Sequence, residues 1–336
     1  MTLATLITGL PKAELHIHLV GSASPHTVLD LARRHPDAGV PTDGDELAAF
    51  YAFRDFRHFI DVCHAVDSLI TTPDDLVTLV LGLATDAAEC NVRWAEVTVT
   101  AATHLAAGIS APDLRASLEQ ARLAASRDLG VELGWIFDIP GERGLAAADT
   151  TVAFLREHAP DGTLAIGLAG LEQAAPRAMF RRHVAAARGL GLNAVIHAGE
   201  TTGPESIWSA LWDLNANRIG HGTSAVTDPE LLAHLADTDV PVEVCVSSNL
   251  RTVSVPELAA HPVPTMLAAG VEVCLSTDDP GMFGTDLNRE YDIVAELAGL
   301  DEAGVSALAR RSFTASFAPE ELRAKAVAEI DHLAGA

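Results

Sequence analysis

Residues 14–19 read Glu14-Leu15-His16-Ile17-His18-Leu19. Polar and apolar residues alternate, which marks a strand with both histidines on one face. Similar short runs recur at 93–99, 131–138, 164–169, 193–197, 218–221, 240–245 and 271–276, giving eight strand candidates. Between them lie helix-like segments at 112–129, 145–158, 176–190, 204–214, 228–237 and 256–269, rich in Ala and Leu. Several open with Pro, which the first helical turn tolerates. Strands and helices in strict alternation predict an α/β fold, a closed parallel (β/α)8 TIM barrel.

One interval breaks the rhythm. Residues 20–92 separate the first two strands, far more than a crossover helix needs, and predict a helical insertion beside the barrel mouth. Residues 287–333 read as two or three terminal helices. Without a repeat, a low-complexity tract or a Pro/Gly/Ser linker, residues 1–336 read as one barrel domain.

The bulk composition fits that reading and narrows the partners. Apolar residues make up 49% of 336, enough for a large core, while aromatics are only 5%. Lys plus Arg number 22 against 46 Asp plus Glu, a formal charge of −24. Such a surface repels nucleic acid and anionic lipid, so neither is expected as a partner. Cys63, Cys90, Cys245 and Cys274 show no Cys-x-x-Cys spacing, which argues against a cysteine zinc knuckle and for reduced thiols. The N-terminus lacks a basic region and no long apolar run follows, so the chain reads as soluble and cytoplasmic.

Barrels of this kind place their chemistry at the C-terminal ends of the strands. Here those ends are loaded: His16-Ile17-His18, His197-Ala198-Gly199-Glu200, His221-Gly222 and Ser276-Thr277-Asp278-Asp279-Pro280. Alternation leaves His16 and His18 roughly 6–7 Å apart along the backbone, close enough to share a cation. Adding His197 and one carboxylate from strand eight gives a His3Asp set suited to one zinc ion per chain. Asp278 is the preferred ligand of the adjacent pair, leaving Asp279 for a hydrogen bond. Zinc brings the pKa of a water to about 7, and attack on an amidine carbon also needs a base and an acid. His221 and Glu200 occupy strand ends suited to those two roles.

Pro11-Lys12-Ala13-Glu14-Leu15-His16-Ile17-His18-Leu19, His197-Ala198-Gly199-Glu200, Arg218-Ile219-Gly220-His221-Gly222 and Ser276-Thr277-Asp278-Asp279-Pro280 together resemble the four signature motifs of the adenosine deaminase family, in order and spacing, over about residues 10–320. The resemblance implies zinc bound by His16, His18, His197 and Asp278, and hydrolytic deamination at C6 of a small purine nucleoside. Glu200 would protonate purine N1. His221 would orient and deprotonate the water, assisted by Asp278. Asp279 would bond N7, the Gly170 backbone N3, and His18 would also touch the substrate.

The chain departs from the pattern at Val20. The family usually has an acid there, bonding the ribose 5′-hydroxyl. A valine leaves that buried hydroxyl unsatisfied, a cost of about 1–3 kcal/mol, or ~10–100-fold in binding. Gly167 and Leu171 likewise replace acids. The runs 19–25, 137–142, 197–205 and 282–288 resemble the actinobacterial aminodeoxyfutalosine deaminase branch, whose substrate bears a carboxyphenyl ketone chain at the 5′ position. The segment 246–251 lacks that branch's usual Pro, and Leu171-Glu172-Gln173 is irregular for it. Adenosine, 2′-deoxyadenosine and methylthioadenosine remain as alternatives. Ester or amide hydrolysis by two metals is disfavoured, because no lysine ends a strand to bridge them. Phe50, Tyr51, Phe53, Phe56 and Phe59, with Arg54 and Arg57, predict a surface that stacks an aryl group and pairs its carboxylate.

Overall fold

Eight parallel strands follow one another around a single sheet: β1 (Lys12–His18), β2 (Val92–Val99), β3 (Glu132–Pro140), β4 (Thr163–Ala169), β5 (Asn193–Ala198), β6 (Arg218–His221), β7 (Val242–Val244) and β8 (Val273–Leu275). The computed structural model describes residues 2–335. Neighbours pair in parallel from β1 to β8. The ring closes just past β8. The Asp278 N–H donates to the His16 carbonyl and the His18 N–H to the Asp278 carbonyl, each at 2.9 Å. Closure therefore falls on three of the residues expected to hold metal.

The barrel is the TIM type that the alternation predicts, with strand ends shifted by a few residues. Strands β7 and β8 are shorter than expected, three residues each. The chain past β7 turns at once into a helix, Val246–Arg251. The expected helix 256–269 begins only at Val263, because Pro262 has no N–H to donate and keeps the residue before it out of helical conformation. Likewise 176–190 resolves into a 3-10 turn, Arg177–Phe180, and a helix, Arg181–Arg188. An N-terminal helix, Leu3–Gly9, was not expected.

Four helices fill 20–92: Pro25–Arg34, Gly44–Phe50, Phe56–Asp67 and Pro73–Glu89. Their starts are written in the sequence. The Asp55 carboxylate accepts the His58 N–H at the first turn of Phe56–Asp67, and Thr72 with Asp75 forms a capping box. Leu31, Leu79 and Leu83 of this segment join the same buried apolar cluster as the barrel residues Leu133 and Val244. Three helices end the chain: Leu287–Ala298, Glu302–Thr314 and Glu320–Ala334. Among the described residues no helix is long and apolar enough to cross a membrane.

Inside the barrel, Ile136, Ala165 and Val195 pack with Phe317 as an apolar layer. Arg218 stacks on Phe317, 4.0 Å from the ring centre, and pairs with both Glu96 and Glu243. Such buried ions persist only when fully paired. This charged layer underlies the mouth and reaches it through Glu243.

Candidate metal and active site

His16 and His18 end β1, His197 ends β5, and Asp278 follows β8. Their ligating atoms all lie within 4.8 Å of one another. The Nε2 atoms of His18 and His197 are 3.1 Å apart, and each of His16 and His18 places Nε2 within 3.4 Å of Asp278 Oδ1. Burial pushes His18 down to about 4 and His197 well below the ordinary imidazole value, so both rings present lone pairs. Burial also opposes charge on His16, but Asp278 and Glu243 outweigh it. The Nε2 of His16 is buried with no hydrogen-bond partner, and its Nδ1 donates to Glu243 Oε2 at 2.7 Å. Three imidazole nitrogens and a carboxylate converging in this way fit a divalent metal with nitrogen-rich preference.

Around this group stand the expected acid and base. Burial, then the charges of Asp278 and Glu172, pushes Glu200 well above the usual carboxyl range, the direction that suits a proton donor. His221 is held down to about 4, chiefly by burial. Its Nε2 lies 3.7 Å from Glu200 Oε2 and 3.9 Å from Asp278 Oδ2. His221 (φ +63°) and Asp278 (φ +66°) both occupy the left-handed backbone region, which non-glycine residues rarely adopt. Strain of that kind collects where side chains must be aimed.

A cavity opens over these groups and is walled by His18, Val20, Gly170, Glu200 and Asp279. Gly170 sits at φ +85°, and a Cβ there would lie 1.8 Å from Glu142 Oε2, so only glycine leaves its backbone open to a ligand. At Gly21 a Cβ would lie 1.5 Å from Asp279 Oδ1, so the missing side chain makes room for that carboxyl. The residues expected to hold metal, to act as acid and base and to meet the purine are thus brought to one mouth.

The aromatic surface is only half as expected. Phe56 and Phe59 line the cavity, whereas Arg54 and Arg57 are exposed and do not. His64 and Arg143 line it instead. Tyr51 and Phe53 pack behind, with Phe53 5.4 Å from Phe59 and 6.0 Å from Phe283.

Several supporting residues escaped sequence reasoning. Ser248 donates to Asp278 Oδ2 at 2.6 Å. Glu172 accepts the backbone N–H groups of Gly199, Glu200 and Thr201 at 2.8–2.9 Å, and the Thr202 hydroxyl at 2.6 Å. Those bonds outweigh burial and hold its carboxylate below the usual range. Buried Arg177 donates to the His197 carbonyl at 3.2 Å. Glu172 and Arg177 clamp the loop carrying Glu200 from both flanks.

The family model described as adenosine deaminase matches residues 11–333. The chain belongs to the adenosine deaminase family. Its members deaminate adenine nucleosides hydrolytically, and this chain carries a metal-capable His3Asp group at the corresponding mouth. It is 49% identical over 331 residues to aminodeoxyfutalosine deaminase of Streptomyces avermitilis, covering 98% of this chain and 92% of that one. Among solved structures of the family, adenine deaminase from Arthrobacter aurescens superposes with a TM-score of 0.91 at 30% identity, covering 98% of this chain and all (100%) of the other. An amidohydrolase from Burkholderia ambifaria with bound Zn gives 0.90 at 26% identity, covering 100% of this chain and 95% of that one.

Proposed function

We propose that this member of the family uses zinc to deaminate a 5′-modified adenine nucleoside, with aminodeoxyfutalosine as its substrate. The observation that carries the substrate reading is Val20, an apolar residue in the cavity wall directly after the His18-Leu19 strand end. A 5′-hydroxyl buried against it finds no acceptor there. The Streptomyces relative supports the same choice, and the Burkholderia structure supports zinc.

Bound to His16, His18, His197 and Asp278, zinc supplies Lewis-acid activation of water near neutral pH. The chain's own groups do the rest. Protonated Glu200 donates to purine N1, which makes C6 electrophilic. The Gly170 N–H bonds N3, and Asp279 bonds N7, fixing the ring in its plane. His221 orients the attacking water; the proton goes to Asp278 and not, as the family resemblance implies, to His221, whose Nδ1 faces the donating amide nitrogen of Asn249 and whose ring proton therefore sits on Nε2. Addition at C6 and loss of ammonia then convert the amidine to the 6-oxo purine. Phe56 and Phe59 offer the 5′ substituent an aromatic wall.

Val20→Asp tests the substrate reading. It should raise kcat/KM for adenosine relative to a 5′-blocked nucleoside by ~10–100-fold. An unchanged ratio would remove Val20 from specificity.

A further inference from the structure

A buried hydrogen-bond chain runs from a backbone amide to His221, and its first link fixes its direction. The Val263 N–H lies 3.2 Å from Nδ1 of His261. A backbone amide can only donate, so that Nδ1 accepts. Burial pushes His261 down to about 4, and a neutral ring with an accepting Nδ1 carries its proton on Nε2. This Nε2 stands 3.2 Å from Asn249 Oδ1 and donates to it. With its oxygen so engaged, Asn249 presents its amide nitrogen to His221, Nδ2 to Nδ1 at 3.2 Å. An amide nitrogen also only donates. Nδ1 of His221 therefore accepts, and the ring proton sits on Nε2, the nitrogen facing Glu200 and Asp278.

We propose that His261 and Asn249 are positioning residues that hold His221 as an Nε2–H donor aimed into the reaction centre. Neither lines the cavity where substrate would sit. All three side chains are buried, His261 at 4%, Asn249 at 0% and His221 at 1% exposure, so water does not compete for the links. Reversing the order would turn the Asn249 amide over. Its nitrogen would then face the Nε2–H of His261, donor against donor, and that hydrogen bond would be lost. The backbone of Val263 thus sets the tautomer of an imidazole three links away. The consequence for the reaction is specific: His221 offers the attacking water a hydrogen bond to its oxygen, and the proton of that water goes to a carboxylate. The proposal rests on reading His221 as the group that meets the water. It does not depend on which adenine nucleoside is the substrate.

The test combines imidazole 15N spectra of the zinc-loaded protein with kinetics on whichever adenine nucleoside it turns over. Wild-type His221 should show a protonated Nε2 and a bare, hydrogen-bonded Nδ1. Asn249→Asp replaces the donor with an acceptor, so the proton should move to Nδ1, and kcat should fall by about 10²–10⁴-fold, as for a catalytic imidazole held in the wrong tautomer. His261→Ala should lower kcat by roughly 10-fold without moving KM, and His261→Gln, which keeps a donor in reach of Asn249, should restore most of it. Wild-type His221 protonated at Nδ1, or Asn249→Asp turning over at the wild-type rate, would overturn the proposal. If Asn249→Asp does not fold, the wild-type spectrum and the two His261 variants still decide it. Failure of the substrate assignment alone would leave the tautomer in place.

Discussion

Glu243 Oε2 lies 2.7 Å from Nδ1 of His16, while Oε1 of the same carboxylate accepts the Arg218 Nε–H at 2.5 Å. One buried anion thus orients an imidazole of the candidate metal group and neutralises the arginine beneath the mouth. The orientation matters because it leaves Nε2 of His16 as the coordinating atom. Glu243→Gln should therefore weaken zinc binding by about 10–100-fold, read by competition with a chromogenic chelator. Unchanged affinity would show that the carboxylate serves the Arg218 layer alone.

Glu172 holds Glu200, the proposed acid, in a comparable way, through the backbone. Its two oxygens take four donors from Gly199 to Thr202. In Glu172→Gln one oxygen becomes an NH2 group that faces other donors, so the loop must shift. A shift of about 1 Å at a catalytic group costs on the order of 100-fold in rate, and kcat should fall accordingly while KM changes little. Steady-state kinetics check this; equal losses in kcat and in folded fraction would mean a structural role only.

Asp138 lies at the end of β3, buried, with Oδ1 unpartnered. Burial, aided by the charge of Glu142, raises it from 3.8 to about 6. The folded state therefore binds this proton more tightly than the unfolded chain does. Its ionisation penalty is absent below about pH 4, grows as pH rises, and is complete above about 6. Asp138→Asn should leave stability unchanged near pH 4 and raise it by roughly 2–3 kcal/mol above pH 6. Denaturant unfolding at the two pH values checks it. An equal gain at both would assign the effect to packing.

The barrel was legible in the alternation of strands and helices, and the mouth in four strand ends: alternation places His16 and His18 on one face, and the polar residues of β5, β6 and β8 follow their apolar runs directly. What escaped were partners that act through distant backbone. Nothing in the residues Glu172-Gln173 announces that four donors more than 25 positions later will point at that carboxylate. Ser248 and Asn249 reach the site because the chain turns helical immediately after the short β7, a turn with no clear apolar period. The aromatic cluster was half legible. Phe56, Phe59, Cys63 and Asp67 share the face of their helix that lines the cavity, at spacings of three and four residues. Arg57 falls about 100° away from Phe56 on the same helix, and Arg54 precedes the first turn.

On the proposed reading, Val20 has turned this deaminase away from substrates with a plain 5′-hydroxyl. The most direct measurement is kcat/KM of the zinc-loaded protein for aminodeoxyfutalosine and adenosine side by side, followed by loss of adenine absorbance. A preference for aminodeoxyfutalosine of at least ~10–100-fold, the cost of an unsatisfied buried hydroxyl, is the predicted result. Adenosine turned over as well or better would contradict the account.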